Sequence, residues 1–128
     1  MAKMKDGFDS LPWHDSELTS FSFDRSAPGE KDIIVLSIRW YDDKISNVVF
    51  EDVFQAQLEF NCGIKCGEHG EPIDYAISEF GTGEVMENFY KKRNISFENP
   101  SLCYYEIVFS STGSKIRIIS RGFYLESE

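Results

Sequence analysis

The sequence predicts a β-rich α+β fold, an antiparallel sheet or a sandwich-like meander with one or two short helices in the middle of the chain. Three observations predict it. Apolar and polar residues alternate along several stretches, the period at which side chains of an extended chain return to one face. Clusters of Gly, Pro, Asp and Ser separate those stretches at short intervals. Helical spacing is confined to residues 73–93.

The elements follow in order. Residues 1–12 are largely polar and lack periodicity, which predicts a flexible arm ahead of one β-rich domain over residues 13–128. Over residues 17–25, Phe21 and Phe23 fall on one side of an extended chain and Ser20, Ser22 and Asp24 on the other, a half-buried strand. "SAPGEK" ends it with Pro28 and Gly29. "DIIVLSIRWY" places Ile34, Leu36, Ile38 and Trp40 on one face and is dense in strand-favouring residues, so it is expected to be the most buried strand. "DDK" forms a polar turn, "ISNVVF" resumes a strand, and "EDV" interrupts it. "FQAQLEFNC" alternates most cleanly, with Phe54, Ala56, Leu58, Phe60 and Cys62 facing in and Gln55, Gln57, Glu59 and Asn61 facing out.

The glycines of "GIKCGEHGE" require a loop. Beyond it Ile73, Ala76, Ile77 and Phe80 recur at helical spacing between Pro72 and Gly81, which predicts a short helix; the alternation of Ile73, Tyr75 and Ile77 also fits a strand. "EVMENFYKK" offers a second helical stretch through Val85, Met86, Phe89 and Tyr90. The last third reads as a hairpin: Tyr105, Ile107 and Phe109 share one side, "SSTGS" turns around Gly113, and Ile116 and Ile118 share a face on the return.

Composition limits what such a domain does. With 128 residues, 41% of them hydrophobic and 15% aromatic, the chain can build one apolar core and no second. A formal net charge of −9 argues against a nucleic-acid partner, because phosphate binding needs a basic face; it favours a basic partner or, more commonly, simply keeps a chain soluble without one. No apolar run approaches the roughly 20 residues that span a bilayer, and "MAKMKDGFDS" lacks the apolar centre of a signal peptide. A cytoplasmic location and no membrane partner are therefore expected. Three sparse cysteines suit free thiols in a reducing compartment.

Two constellations carry reactive groups. In "LPWHDSEL", His14, Asp15, Ser16 and Glu17 are consecutive, but neighbours on a strand point to opposite faces and cannot form a nucleophile, base and orienter. Asp15 or Ser16 instead satisfies backbone donors where the chain turns into the strand, and His14 holds a neighbouring segment. Cys62, Cys66 and His69 share one loop and supply soft ligands suited to zinc, with His14, Asp15 or Cys103 as a fourth; a small buried Cys62, a surface Cys66 and a loop histidine are the competing reading. The basic residues Lys115, Arg117 and Arg121, and the run from Lys91 to Arg93, are expected to pair with carboxylates or to blunt a sheet edge. "GTGE" at residues 81–84 lacks the lysine and glycine spacing of a phosphate loop and reads as a turn. No cofactor and no enzymatic chemistry are expected.

The segments "LPWHDSELTSFSFDR", "ISNVVFEDVFQAQLEFN" and "VFSSTGSKIRIISRGFYL" together resemble small bacterial proteins of the YxiG-like and immunity-protein kind, found with polymorphic toxins. The resemblance covers most of the chain and does not extend to the loop with Cys62 and Cys66 or to residues 73–93. It implies a protein that performs no chemistry and inhibits a toxin by covering its active site. Acidic loops at Asp42, Asp43, Glu51, Asp52, Glu68 and Glu71 are then the expected contacts for a basic toxin domain. The alternatives are a metal-binding module or metal-dependent enzyme using Cys62, Cys66, His69 and His14, and a homo-oligomeric structural domain, such as a homodimer, that pairs through an exposed strand edge.

Overall fold

The computed structural model describes residues 7–80, 83–93 and 102–127. Six antiparallel strands, β1 (Glu17–Ala27), β2 (Lys31–Arg39), β3 (Ile45–Glu59), β4 (Glu71–Phe80), β5 (Cys103–Phe109) and β6 (Lys115–Ser127), are joined by one helix, α1 (Glu84–Arg93), between β4 and β5. They form one sheet in the order β1-β2-β3-β6-β5-β4 that closes into a barrel. The β-rich class follows from the alternation; the closure replaces the sandwich-like arrangement with a single sheet rolled on itself. The turn expected at residues 81–84 has Gly81 and Thr82 outside the described residues.

Closure depends on a short contact. Among the described residues β1 meets β4 at two pairs, Glu17 with Pro72 and Leu18 with Glu71. The chain ahead of β1 continues the seal: the Asp15 amide donates to the Ile73 carbonyl at 3.1 Å, and the Ile73 amide donates to the Ser16 carbonyl at 2.8 Å. Ser78 Oγ donates to Asp9 Oδ1 at 2.7 Å, which ties the segment to β4 further along. Of the stretch predicted as a flexible arm, residues 1–6 lie outside the described residues, but Phe8 is 0% exposed. Packing therefore begins before residue 13. A single aromatic residue has no period to reveal its burial.

The barrel interior is filled by side chains. The Phe8 ring lies 4.9 Å from Trp13, 4.7 Å from Tyr105, 5.1 Å from Phe123 and 6.1 Å from Phe50, centroid to centroid. Tilted and edge-on contacts of this kind suit the ring quadrupoles and add to the burial of apolar area. Ile34, Leu36 and Ile38 from β2, Ile107 and Phe109 from β5, and Ile116 and Ile118 from β6 complete the core, each on the face that its alternation assigns. A second, smaller cluster lies outside the barrel wall. Met86, Phe89 and Tyr90, one stripe of α1, cover Leu102, Tyr104 and Ile119, with Phe54 at the margin. Acidic residues in the first turn of α1 and basic residues in the last suit its dipole.

Two expectations yield to β-bulges. The short helix predicted over residues 73–80 is the strand β4, paired with β5 from Ile73↔Phe109 to Phe80↔Cys103. A register shift between Ile73 and Tyr75 inserts one extra residue, so Ile73 and Ala76 both face the core although three residues apart. A bulged strand thereby imitates helical spacing. The interruption at "EDV" is likewise no break: β3 runs through it, with Asp52 in the left-handed region at φ 50° and a register shift between Val53 and Gln55. Val53 and Ala56 face in on either side of Phe54, which turns outward to α1.

Phe21 and Phe23 pair with Leu36 and Ile34 and so face inward, yet they remain 44% and 37% exposed. The reason is that β4 leaves β1 after Leu18, so this half of β1 has a neighbour on one side only among the described residues. Its turn is held locally. Asp24 Oδ1 accepts from the Ser26 hydroxyl at 2.6 Å and the Ser26 amide at 2.9 Å, and Lys31 Nζ lies 3.1 Å from its other oxygen.

Phe8→Ala should cost about 3–5 kcal/mol in urea unfolding, the usual loss for a fully buried phenylalanine, and Phe21→Ala far less. The bonds from Ser26, and then Lys31, lower the Asp24 pKa to about 2 from 3.8. Their contribution is complete above the unfolded value and lost as pH falls through about 2. A carboxyl-detected NMR titration should place the Asp24 midpoint there, and Ser26→Ala should raise it.

Candidate functional site

The residues from His14 to Glu17 form a turn that delivers the chain into β1. Ser16 is fully buried with its hydroxyl donating to the Trp13 carbonyl. Asp15 adopts φ 68°, the left-handed conformation that aspartate tolerates, and its amide is the one bonded to β4. His14 is exposed; its Nδ1 lies 3.1 Å from the Asp74 carbonyl and 3.7 Å from the Asp74 carboxylate. Ser16 points into the core, whereas His14 and Asp15 face solvent with His14 Nε2 3.7 Å from Asp15 Oδ2, so the hydroxyl stands apart from that pair. A triad-like arrangement is absent from this turn.

Glu17 organises what surrounds the seam. Its Oε2 accepts from the Glu68 amide at 3.1 Å and the His69 amide at 3.4 Å, so the long β3–β4 loop is drawn against the start of β1. Gly67 and Gly70 permit that approach: a Cβ at Gly70 would lie 2.4 Å from the Leu18 carbonyl oxygen, and Gly67 has φ 68°. On the sheet Glu17 stands between Arg39 and Pro72. Those two are then separated by two strand spacings, about 10 Å. Arg39 pairs with Asp43 at 3.3 Å, and Glu71 accepts from the Thr112 hydroxyl. Asp42 and Asp43 of the β2–β3 turn, Glu68 of the β3–β4 loop and Glu71 at the start of β4 thus flank one seam. Glu51 and Asp52 lie elsewhere, at the bulge of β3, so the six acidic residues form two groups.

The cysteine loop does not converge. β3 ends at Glu59, so the alternation that predicted an inward Cys62 lapses, and Cys62 is exposed, with its thiol 3.8 Å from the Phe60 carbonyl. His69 is exposed beside Glu68, and Cys66 is partly buried. Among the described residues no group of three or more His, Cys, Asp or Glu is placed to hold a metal ion. Cys103 is buried, and that burial pushes its thiol up to about 11. Tyr104 is held neutral more strongly still, by burial and by its bond to the Glu106 carboxylate at 2.7 Å. Glu106 in turn pairs with Arg117 at 3.2 Å across the β5–β6 ladder.

A groove that sequence order does not reveal lies on another side of the barrel. The β2–β3 ladder stops at Ile34↔Phe50 while β3 continues to Glu59, so the β1–β2 hairpin separates from the second half of β3. The resulting cavity of about 500 Å³ is lined by Arg25, Asp32, Asp52, Phe54, Arg93 and Arg121, among others. Each guanidinium lies over a ring: Arg25 over Phe23 at 5.5 Å, Arg93 over Phe89 at 5.4 Å and Arg121 over Phe54 at 5.6 Å. A shallower hollow of about 250 Å³, floored by Phe23, Phe54 and Ala56, continues it. The three arginines come from β1, the end of α1 and β6, which explains why no local motif marks them.

No helix of the described residues is long and apolar enough to cross a membrane. No family model, no curated protein and no solved structure matches the chain.

The cysteine placements give a direct check. With a chromogenic disulfide reagent at mildly alkaline pH, Cys62 should react rapidly in the native protein. Cys103 should react only at the rate of global unfolding, and Cys62→Ser should leave the slower reaction of the partly buried Cys66 as the only native-state phase.

Proposed function

We propose that this chain is a non-catalytic binding protein of the immunity type, which neutralises a basic toxin domain by covering its active site. The observation that carries the reading is the assembly of Asp42, Asp43, Glu68 and Glu71 on either side of Glu17, in a chain of net charge −9. Loops fixed to a barrel present those charges with little freedom to lose on association, which favours binding by a preorganised surface. Their field accelerates encounter with a basic partner and disfavours an acidic one. The aromatic packing inside the barrel leaves recognition to the outer surface, which is where an occluding protein acts.

Co-expression with the products of the flanking genes should restore growth against one of them and yield a stoichiometric complex, and failure with every flanking product would remove the reading. The triple variant Asp42→Lys, Asp43→Lys, Glu68→Lys removes charge without touching the barrel ladder and should slow association by about tenfold or more at low salt. Association at the original rate, in a variant whose circular dichroism is unchanged, would exclude the seam as the contact surface.

A further inference from the structure

We propose that the groove between the β1–β2 hairpin and the second half of β3 binds a small oxyanion-bearing molecule, a phosphate or a carboxylate, with Arg25, Arg93 and Arg121 as donors. This site is separate from the acidic seam and does not depend on the toxin-binding reading.

Three of the chain's five arginines meet in this groove, although the chain as a whole carries a net charge of −9. Each guanidinium carbon lies 5.4–5.6 Å from an aromatic ring centroid, a cation–π contact that helps hold the three in one place. Each guanidinium has five N–H donors in a planar fork. Arg93 uses Nη2 on the Phe54 carbonyl at 2.9 Å, a neutral acceptor that leaves its charge uncompensated by that bond. Arg25 gives Nη1 to Asp32 Oδ1 at 3.0 Å.

Three carboxylates, Glu30, Asp32 and Asp52, share the groove with the three arginines, so a ligand must displace existing pairs. Asp32 is engaged on both oxygens, by Arg25 and by the Gly29 amide at 2.9 Å, and so serves the hairpin turn. Asp52 stands 3.8 Å from Arg121, and both side chains are about half exposed. A loose exposed pair of this kind is worth at most about 1 kcal/mol. An oxyanion accepting in-plane bonds from two or three guanidiniums gains the stronger, charge-assisted geometry and replaces it. The cavity of about 500 Å³ falls within the size range of small-molecule sites, and the adjoining hollow floored by Phe23 and Phe54 accommodates an apolar portion of the same molecule.

The test is an NMR titration of arginine Nε–H and backbone amide signals with pyrophosphate and, separately, with citrate, at constant ionic strength and against glucose. Saturable shifts confined to Arg25, Arg93, Arg121 and residues 52–56 are expected with at least one anion, and the stronger of the two identifies phosphate or carboxylate as the natural group. Arg93→Gln and Arg25→Gln should each weaken binding by about tenfold or more, the loss expected for a hydrogen bond to a charged group. Arg39→Gln, outside the groove, should leave it unchanged. Shifts that grow without saturation for both anions, or saturation that survives both groove substitutions in folded protein, would overturn the site.

Discussion

The Phe8 side chain is the contact on which the rest of this barrel depends. A six-stranded sheet closes only if its first and last strands in spatial order meet, and here they do so over two residue pairs. So short a seam offers few ladder bonds, and the gap beside it would admit water to the core. The segment ahead of β1 supplies what the ladder lacks. Phe8 fills the interior against Trp13, Tyr105 and Phe123, and the Trp13 indole donates to the Phe8 carbonyl at 2.7 Å. The backbone bonds of Asp15 and Ser16 with Ile73 then continue the pairing by other means. Burial of one ring thereby holds both ends of the sheet together.

Imperfect closure shapes the surface in two places. Where β1 and β4 do meet, Glu17 collects the amides of the β3–β4 loop, and the charges of two loops come to flank one line on the barrel. Where the β2–β3 ladder ends early, the hairpin tip departs from β3 and opens a groove into which three elements project arginines. The bulge at Asp52 belongs to the same event. It redirects Phe54 outward, where it meets both the end of α1 and the Arg121 guanidinium. Charged groups far apart in the chain are thus brought together by strand geometry rather than by blocks of sequence.

Several elements were legible in the sequence. The faces of β2, β5 and β6, the polar turn before β3 and the helix carrying Met86, Phe89 and Tyr90 follow from period two or period 3.6, because each is decided by contacts within one element and its immediate neighbours. Residues 73–80 were not, because a bulge spaces Ile73 and Ala76 as a helix would, and periodicity cannot distinguish the two. Cys62 was misplaced for a related reason: alternation identifies a face only while the strand lasts, and nothing local marks its end at Glu59. At the candidate sites, strand alternation assigned opposite faces to His14, Asp15 and Ser16, whereas the chain turns there and brings His14 within 3.7 Å of Asp15, and the groove could not be read at all. Arg25, Arg93 and Arg121 are far apart in the chain, and each alone looks like an ordinary surface arginine.

By itself the sequence determined which residues face the interior within each regular strand and the acidity of the whole. These properties rest on side-chain identity and on the direction in which consecutive side chains point. Only the tertiary structure decided that the sheet closes, that Phe8 belongs to its core, and that charges from separate loops and strands share a surface. Those outcomes depend on register and bulges, which shift a whole strand relative to its partner. A shift of that kind is set by the balance of long-range packing, and no single segment contains it.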